Sequence, residues 1–220
     1  MSKIKIFLIS FCLVIAYLLV QPYIFVFLSG AYNPNPNRIN INIGRYAITT
    51  SIFSFQKSYS LLAMINICKT LELYDVGAMY VRKLRAFYPE NSYYAELEFE
   101  MYMMSKKYFS ALQVAKTDPR LKRKLIEVYL SMKDIKNSRI MLAEYKKGQN
   151  KRFTDYFEAR IECLEGNYEK ADLFVTRFLK NNPDNRRGWG LKAQIAKKLG
   201  NKAEAEKCLK QLDLLLPNAK

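Results

Sequence analysis

Histidine is absent from all 220 residues. Its absence removes the commonest general base, the usual zinc ligand and every Ser-His or Cys-His nucleophile. Catalysis would have to rest on Lys, Tyr or paired carboxylates. Glycine and proline are scarce, at 8 and 7, fewer than a many-turned β fold usually requires, so a helical chain is expected. The four cysteines, Cys12, Cys68, Cys163 and Cys208, have no CxxC or metal-ligand spacing. No metal and no cofactor is therefore expected. The three outside the N-terminal apolar run read as small core hydrophobes. A phosphate-binding glycine loop and an aromatic RNA-binding motif are also missing, which argues against a specific nucleic-acid partner.

Acids are the other shortage, 20 against 36 Lys and Arg. The resulting charge of +16 is uneven: residues 121–151 hold nine cations and three acids, whereas 91–120 hold four of each. Solvated helix faces account for this most simply; a surface for acidic lipid or an acidic protein is the sharper reading. Glu96, Glu98 and Glu100 alternate around a helix and do not converge as a catalytic pair should. A carboxylate-based enzyme is thus a remote alternative, and the expectation is that the chain is not an enzyme.

Half of the residues are apolar, and the longest apolar run, Ile6–Ser29, "IFLISFCLVIAYLLVQPYIFVFLS", carries no charge. Crossing a bilayer takes about 20 mainly apolar residues, whereas a cleaved signal peptide has a core of about 7 to 15. An uncleaved transmembrane signal anchor is expected over 6–29, behind a basic tail at 1–5, although "LSGA" keeps cleavage open. Gln21 and Pro22 predict a kink or an interfacial end. The short basic tail favours an N-terminus held inside and an exported domain; the unpaired cysteines point to the cytoplasm instead. Residues 30–57 read as an Asn/Pro-rich spacer and an irregular segment, with "RININIGRYAITTSIFSFQ" open between strand and helix.

The rest of the chain, 58–220, follows a ruler. Gly166, Ala171 and Pro183 recur 34 residues later as Gly200, Ala205 and Pro217. Val175 and Phe178, with their counterparts Leu209 and Leu212, lie four and seven places after the alanine, one face of a helix. Trp189, Ala193 and Ala196 repeat that stripe one helix earlier. Upstream, Gly77, Val81, Leu84 and Pro89 have the offsets of Ala171, Val175, Phe178 and Pro183. Two degenerate units, one cut short at Pro119 and one capped at Gly148, fill the interval, so about five helix pairs fit 58–217.

Trp189, Ala193, Gly200, Ala205, Leu209, Leu212 and Pro217 resemble the signature of the tetratricopeptide repeat, a 34-residue helix-turn-helix unit. Lys192-Ala193 and Ala196 depart from it, where that family favours Leu-Gly and Tyr. The resemblance implies an all-α, right-handed α-solenoid whose first helices line a concave face. The family's inward places fall on Asn66, Lys69, Glu96, Glu100, Arg123, Glu127, Tyr156, Arg160, Gln194 and Lys197. The Lys/Asn/Arg set with which one subset grips a C-terminal carboxylate is absent. What the resemblance implies is an anchored scaffold or assembly factor for protein partners in or at a membrane, or a permanent subunit of an envelope machine.

Overall fold

A computed structural model of the chain describes residues 3–28, 38–51, 54–148 and 152–215, with side chains on the first helix described from Cys12 onward. Among the described residues there are twelve α-helices, one 3-10 turn and no strand. They divide into two compact units, Met1–Leu121 and Lys122–Lys220. In the first, α1 (Lys3–Leu28), α2 (Arg38–Thr50) and α3 (Ser54–Thr70) lead into α4 (Tyr74–Phe87), α5 (Ser92–Met104) and α6 (Tyr108–Thr117). In the second, α7 (Lys124–Ser131), α8 (Ile135–Lys147), α9 (Thr154–Glu165), α10 (Tyr168–Asn181), α11 (Arg186–Lys198) and α12 (Lys202–Leu214) follow one another.

From α3 onward the helices come in five pairs, each joined by the same turn. One residue in each turn has positive φ: Glu72 (56°), Lys106 (60°), Lys133 (59°), Gly166 (82°) and Gly200 (74°). Its N–H and that of the next residue both reach back into the helix just ended. Asn167 N–H donates to the Glu162 carbonyl and Asn201 N–H to that of Ala196, both at 2.9 Å; Leu73, Lys107 and Asp134 make the equivalent bonds to Cys68, Tyr102 and Tyr129. This double bond pattern is the Schellman ending of a helix. The next residue flanks the second helix, and the Asp134 and Asn201 carboxyl and amide oxygens cap their helices by accepting from Asn137 and Glu204 N–H. Spacing between the positive-φ residues is 34, 27, 33 and 34. The short interval contains α6 and α7, of only 10 and 8 residues, separated by a 3-10 turn at Pro119–Leu121.

Close helix approach depends on small residues at the expected places. Ala171, Ala193 and Ala205 are buried, and a Cβ on Gly77 would stand 2.9 Å from Met101 Sδ and 3.3 Å from Cys68 Cβ. Apolar burial, the main favourable term, centres in the first unit on residues such as Met64, Ile67, Val81, Leu84 and Phe99. In the second it centres on Ala159, Val175, Phe178 and Ile195, and on Ile126, Leu142, Phe157 and Ile161. All four cysteines are free. Cys68 and Cys208 are fully buried, Cys163 is half-buried against the second core, and burial pushes the Cys68 and Cys163 thiols up to about 11. Pro89 and Pro183 stand in the connections between pairs, and the Trp189 indole Nε1–H donates to the Pro183 carbonyl at 2.6 Å. Pro217 lies outside the described residues.

The N-terminal third differs from a simple anchor and spacer. The 38–50 segment, open between strand and helix in the sequence, is α2, and α3 begins at Ser54, inside the stretch assigned to the irregular segment. Of the expected spacer, Gly30 to Arg38, residues 30–37 lie outside the described residues and Arg38 opens α2. Across α1, side chains are described for the 17 residues from Cys12 to Leu28, and among the described residues no helix is long and apolar enough to cross a membrane. Pro22 lies inside α1 without breaking it, and Pro22 and Val26 are buried.

Candidate interaction surface

In the second unit, α7, α9 and the start of α11 converge on a recess of about 80 Å³ lined by Arg123, Lys124, Glu127, Phe153, Tyr156, Phe157, Asn185 and Arg187. Each contributor is positioned by an ordinary helix feature. Asn185 caps α11 by accepting from Gly188 N–H at 2.9 Å, which fixes the approach of Arg187. Phe153 immediately precedes α9, and its ring and that of Tyr156 pack on Phe178 with centroids 5.8 and 5.4 Å apart. Over these rings lie cations: the Arg123 guanidinium is 5.2 Å from the Phe153 centroid and Arg160 is 5.9 Å from that of Tyr156. A guanidinium attracted to an aromatic face still has N–H donors to offer an acceptor.

Beside this recess, α7 and α8 enclose a wider one of about 300 Å³, between Lys122, Arg123, Ile126, Met141 and Tyr145. The Tyr145 hydroxyl is buried there without a hydrogen-bond partner. Glu144 is paired with Lys122 at 2.9 Å. The two recesses share Arg123. Their charge is positive, with Glu127 and Glu144 as the acids among the lining residues, so an acidic or carbonyl-rich surface is the complementary ligand.

Three of the ten residues placed on the concave face by sequence, Arg123, Glu127 and Tyr156, line the smaller recess together, and Arg160 sits one turn along α9 from Tyr156. Gln194 and Lys197 are exposed on α11. In the first unit, Asn66 and Lys69 are exposed on α3, Glu100 is exposed on α5 and Glu96 is half-buried.

Lys124, Phe153, Asn185 and Arg187 went unread, because a helix start and an inter-pair turn carry no repeat signature. The burial of Glu98, Glu158 and Glu162 is not evident from the sequence either. Glu98, 2% exposed, accepts from Arg82 Nε at 3.1 Å and Arg85 Nη1 at 3.2 Å, and Arg82 also donates to the Tyr102 hydroxyl. In the second unit Arg139 of α8 joins Glu162 and Glu165 of α9 at 3.2 and 2.6 Å, and Lys146 pairs with Glu158. These acids tie the second helix of one pair to the first helix of the next. Acids three or four places apart, as in Glu158, Glu162 and Glu165, were the signal that could have found them.

Among the described residues no cluster of His, Cys, Asp and Glu could hold a metal ion. No protein-family model matches the chain, and no curated protein matches it. Among solved structures it is similar to a tetratricopeptide repeat protein from Parabacteroides merdae, with a TM-score of 0.63 and 12% identity, over 92% of this chain and 80% of that one. The helix pairs with their recurring turn therefore build a tetratricopeptide-like fold.

Proposed function

We infer that the chain is a membrane-anchored interaction scaffold or assembly factor that holds an envelope protein or membrane complex through the first helices of its pairs. The observation that carries this reading is the Arg123, Phe153, Tyr156 group: an exposed guanidinium on a rigid aromatic base at the recess, with half-buried Arg160 over the Tyr156 ring beside it. Such rigid aromatic and arginine groups dominate binding energy in protein interfaces. The second unit carries 23 Lys and Arg against 13 Asp and Glu, and many of the acids are engaged in the inter-helix pairs above, so the surplus is cationic and favours an acidic partner.

Anchoring rests on α1. Counting with Cys12–Leu28 the residues before Cys12, whose side chains lie outside the described ones, its 26 residues measure about 39 Å at 1.5 Å per residue, against a hydrocarbon core of about 30 Å. Leu13, Val14, Tyr17, Val20, Ile24 and Phe27 on it are exposed, and a row of large apolar groups without protein cover suits lipid. Lys3 and Lys5 in a very short tail before an apolar run suit a signal anchor with its N-terminus inside and the helix pairs exported, against Arg38 and Arg45 on the other side.

A second reading, a permanent subunit of an envelope machine, is favoured by exposed Met79, Tyr93, Met104 and Phe109 in the first unit, 59 to 67% exposed, because obligate interfaces are larger and more apolar. Carbonate extraction of membranes, followed by affinity purification from mild detergent, tests both. The scaffold reading expects the full chain in the carbonate-resistant pellet, a chain lacking 1–30 in the supernatant, and a partner that dissociates in salt. A salt-resistant stoichiometric complex supports the permanent subunit. A full chain released by carbonate contradicts the anchor.

A further inference from the structure

We propose that the α2–α3 end of the first unit is seated in the bilayer, with lipid as its ligand, instead of being held away from the membrane on a spacer; this rests on the reading of α1 as the anchor. The side-chain amide of Gln56, fully buried at the start of α3, donates to the carbonyls of Leu18 and Leu19 at 3.2 and 2.8 Å. Further along, Tyr59 packs on Tyr23 with centroids 5.0 Å apart, and Tyr46 of α2 meets Phe25 edge-on at 4.7 Å. So α2 and α3 grip α1 from Leu18 to Val26.

Length decides where that grip lies. If only residues before Leu18 were in hydrocarbon, the uncharged part of α1 available, Ile6–Tyr17, would measure about 18 Å, far short of the ~30 Å core. Spanning takes the helix to about Phe25, which puts Leu18 roughly 10 Å below the near interface. The start of α3 then sits at that depth. Interfacial helices bury about 5–10 Å into the headgroup and acyl boundary, so the depth is one that helices reach.

The polar chemistry of this end fits such an environment. Hydrocarbon offers no hydrogen-bond partner, so polar groups there must be satisfied by protein. Pro22 has no N–H to give the Leu18 carbonyl, and Gln56 supplies the donor. Ser51 donates to the Ala47 carbonyl at 2.7 Å and meets Ser60 at 3.1 Å, and Thr49 donates to the Tyr46 carbonyl at 2.8 Å. What this end exposes are Tyr46 and Phe55, each 52%, and Leu62, flanked by Arg45 and Lys57. Aromatics and long cations together mark a membrane–water boundary.

The test uses the full chain in vesicles of phosphatidylcholine and phosphatidylglycerol, with brominated or ordinary acyl chains. Val14→Trp and Phe55→Trp are made separately in a Trp189→Phe background. If that background loses helix content, the two are added to the native chain and its Trp189 signal is subtracted. Quenching of both by brominated lipid, with Phe55→Trp shielded from aqueous acrylamide, is the expected result. Quenching of Val14→Trp alone, with Phe55→Trp open to acrylamide, overturns the seated end and leaves the anchor standing. Quenching of neither overturns both.

Discussion

Gln56 Nε2 stands 3.2 Å from the Leu18 carbonyl oxygen, the acceptor that an N–H at position 22 would serve if that residue were not proline. A carbonyl that proline leaves without its helical donor is served by a side chain from another helix. Gln56→Leu keeps the size and removes the donor, and should cost about 1–3 kcal/mol. Pro22→Ala restores the missing N–H, so Pro22→Ala with Gln56→Leu should lose less than the two single costs combined. Thermal unfolding of the four proteins in one detergent, followed by helical ellipticity, reads the coupling; strict additivity would separate Gln56 from Pro22.

The turn that joins each pair makes a second set of outcomes. Left-handed backbone costs a non-glycine residue about 1–2 kcal/mol. Lys106→Gly and Lys133→Gly should each raise stability by up to about 1 kcal/mol, offset in part by the greater freedom of the unfolded glycine. Gly166→Ala and Gly200→Ala, whose side chains would meet open space, should lower it by about 1 kcal/mol through backbone strain alone. Urea unfolding of the four variants checks the opposite signs.

Glu98 predicts an asymmetry. Its side chain is 3% exposed, whereas those of Arg82 and Arg85 are 64% and 25% exposed. Removing both arginines leaves a buried carboxylate without a partner, at about 3 kcal/mol or more. Glu98→Gln keeps one acceptor oxygen and turns the other into an amide donor, but the arginine it no longer serves can reach water, so the loss should be about 1 kcal/mol. Equal losses in chemical denaturation would mean that the pair is not buried in solution.

Acid should weaken both units. Hydrogen bonds from Arg120 hold the Asp118 carboxyl below the usual range, and those from Lys107 do so for Asp75. Burial pushes Glu162 up, but hydrogen bonds from Asn167 and Arg139 outweigh it and leave the group low. A carboxyl with a depressed folded pKa contributes stability that is fully present above its unfolded value, about 4, and is lost as pH falls through the folded one. Melting temperature should therefore hold from pH 7 to about 5 and drop below about 4, with Asp118→Asn flattening the drop. A melting temperature that stays level to pH 2 would contradict this.

The strongest units were legible because glycine marks the turn and alanine the close approach at Gly166, Ala171, Gly200 and Ala205. The middle units were faint for a physical reason: Glu72, Lys106 and Lys133 adopt the same left-handed turn without being glycine, and the interval between the last two is shortened to 27 residues. The backbone keeps a ruler that the side chains have partly lost. Residues 38–50 were ambiguous because the alternation in "RININIG" suits a strand, whereas burial of Ile41, Gly44 and Ala47 at helical spacing follows from packing on α1 and α3, which no local pattern reveals. The recess was half legible, through Arg123, Glu127 and Tyr156; Lys124, Asn185 and Arg187 join it only once α7, α9 and α11 are side by side.

Binding through the cation and aromatic group is tested most directly by site-specific photo-crosslinking in intact cells. A photoreactive residue replaces Glu127 in the recess or Leu173, which is 72% exposed on α10. The prediction is one dominant protein adduct from position 127, lost when Arg123→Glu and Arg187→Glu are added while helix content is retained, and no such adduct from 173. An adduct from 127 that survives the charge reversal, or the same adduct from 173, would contradict a partner held in this recess.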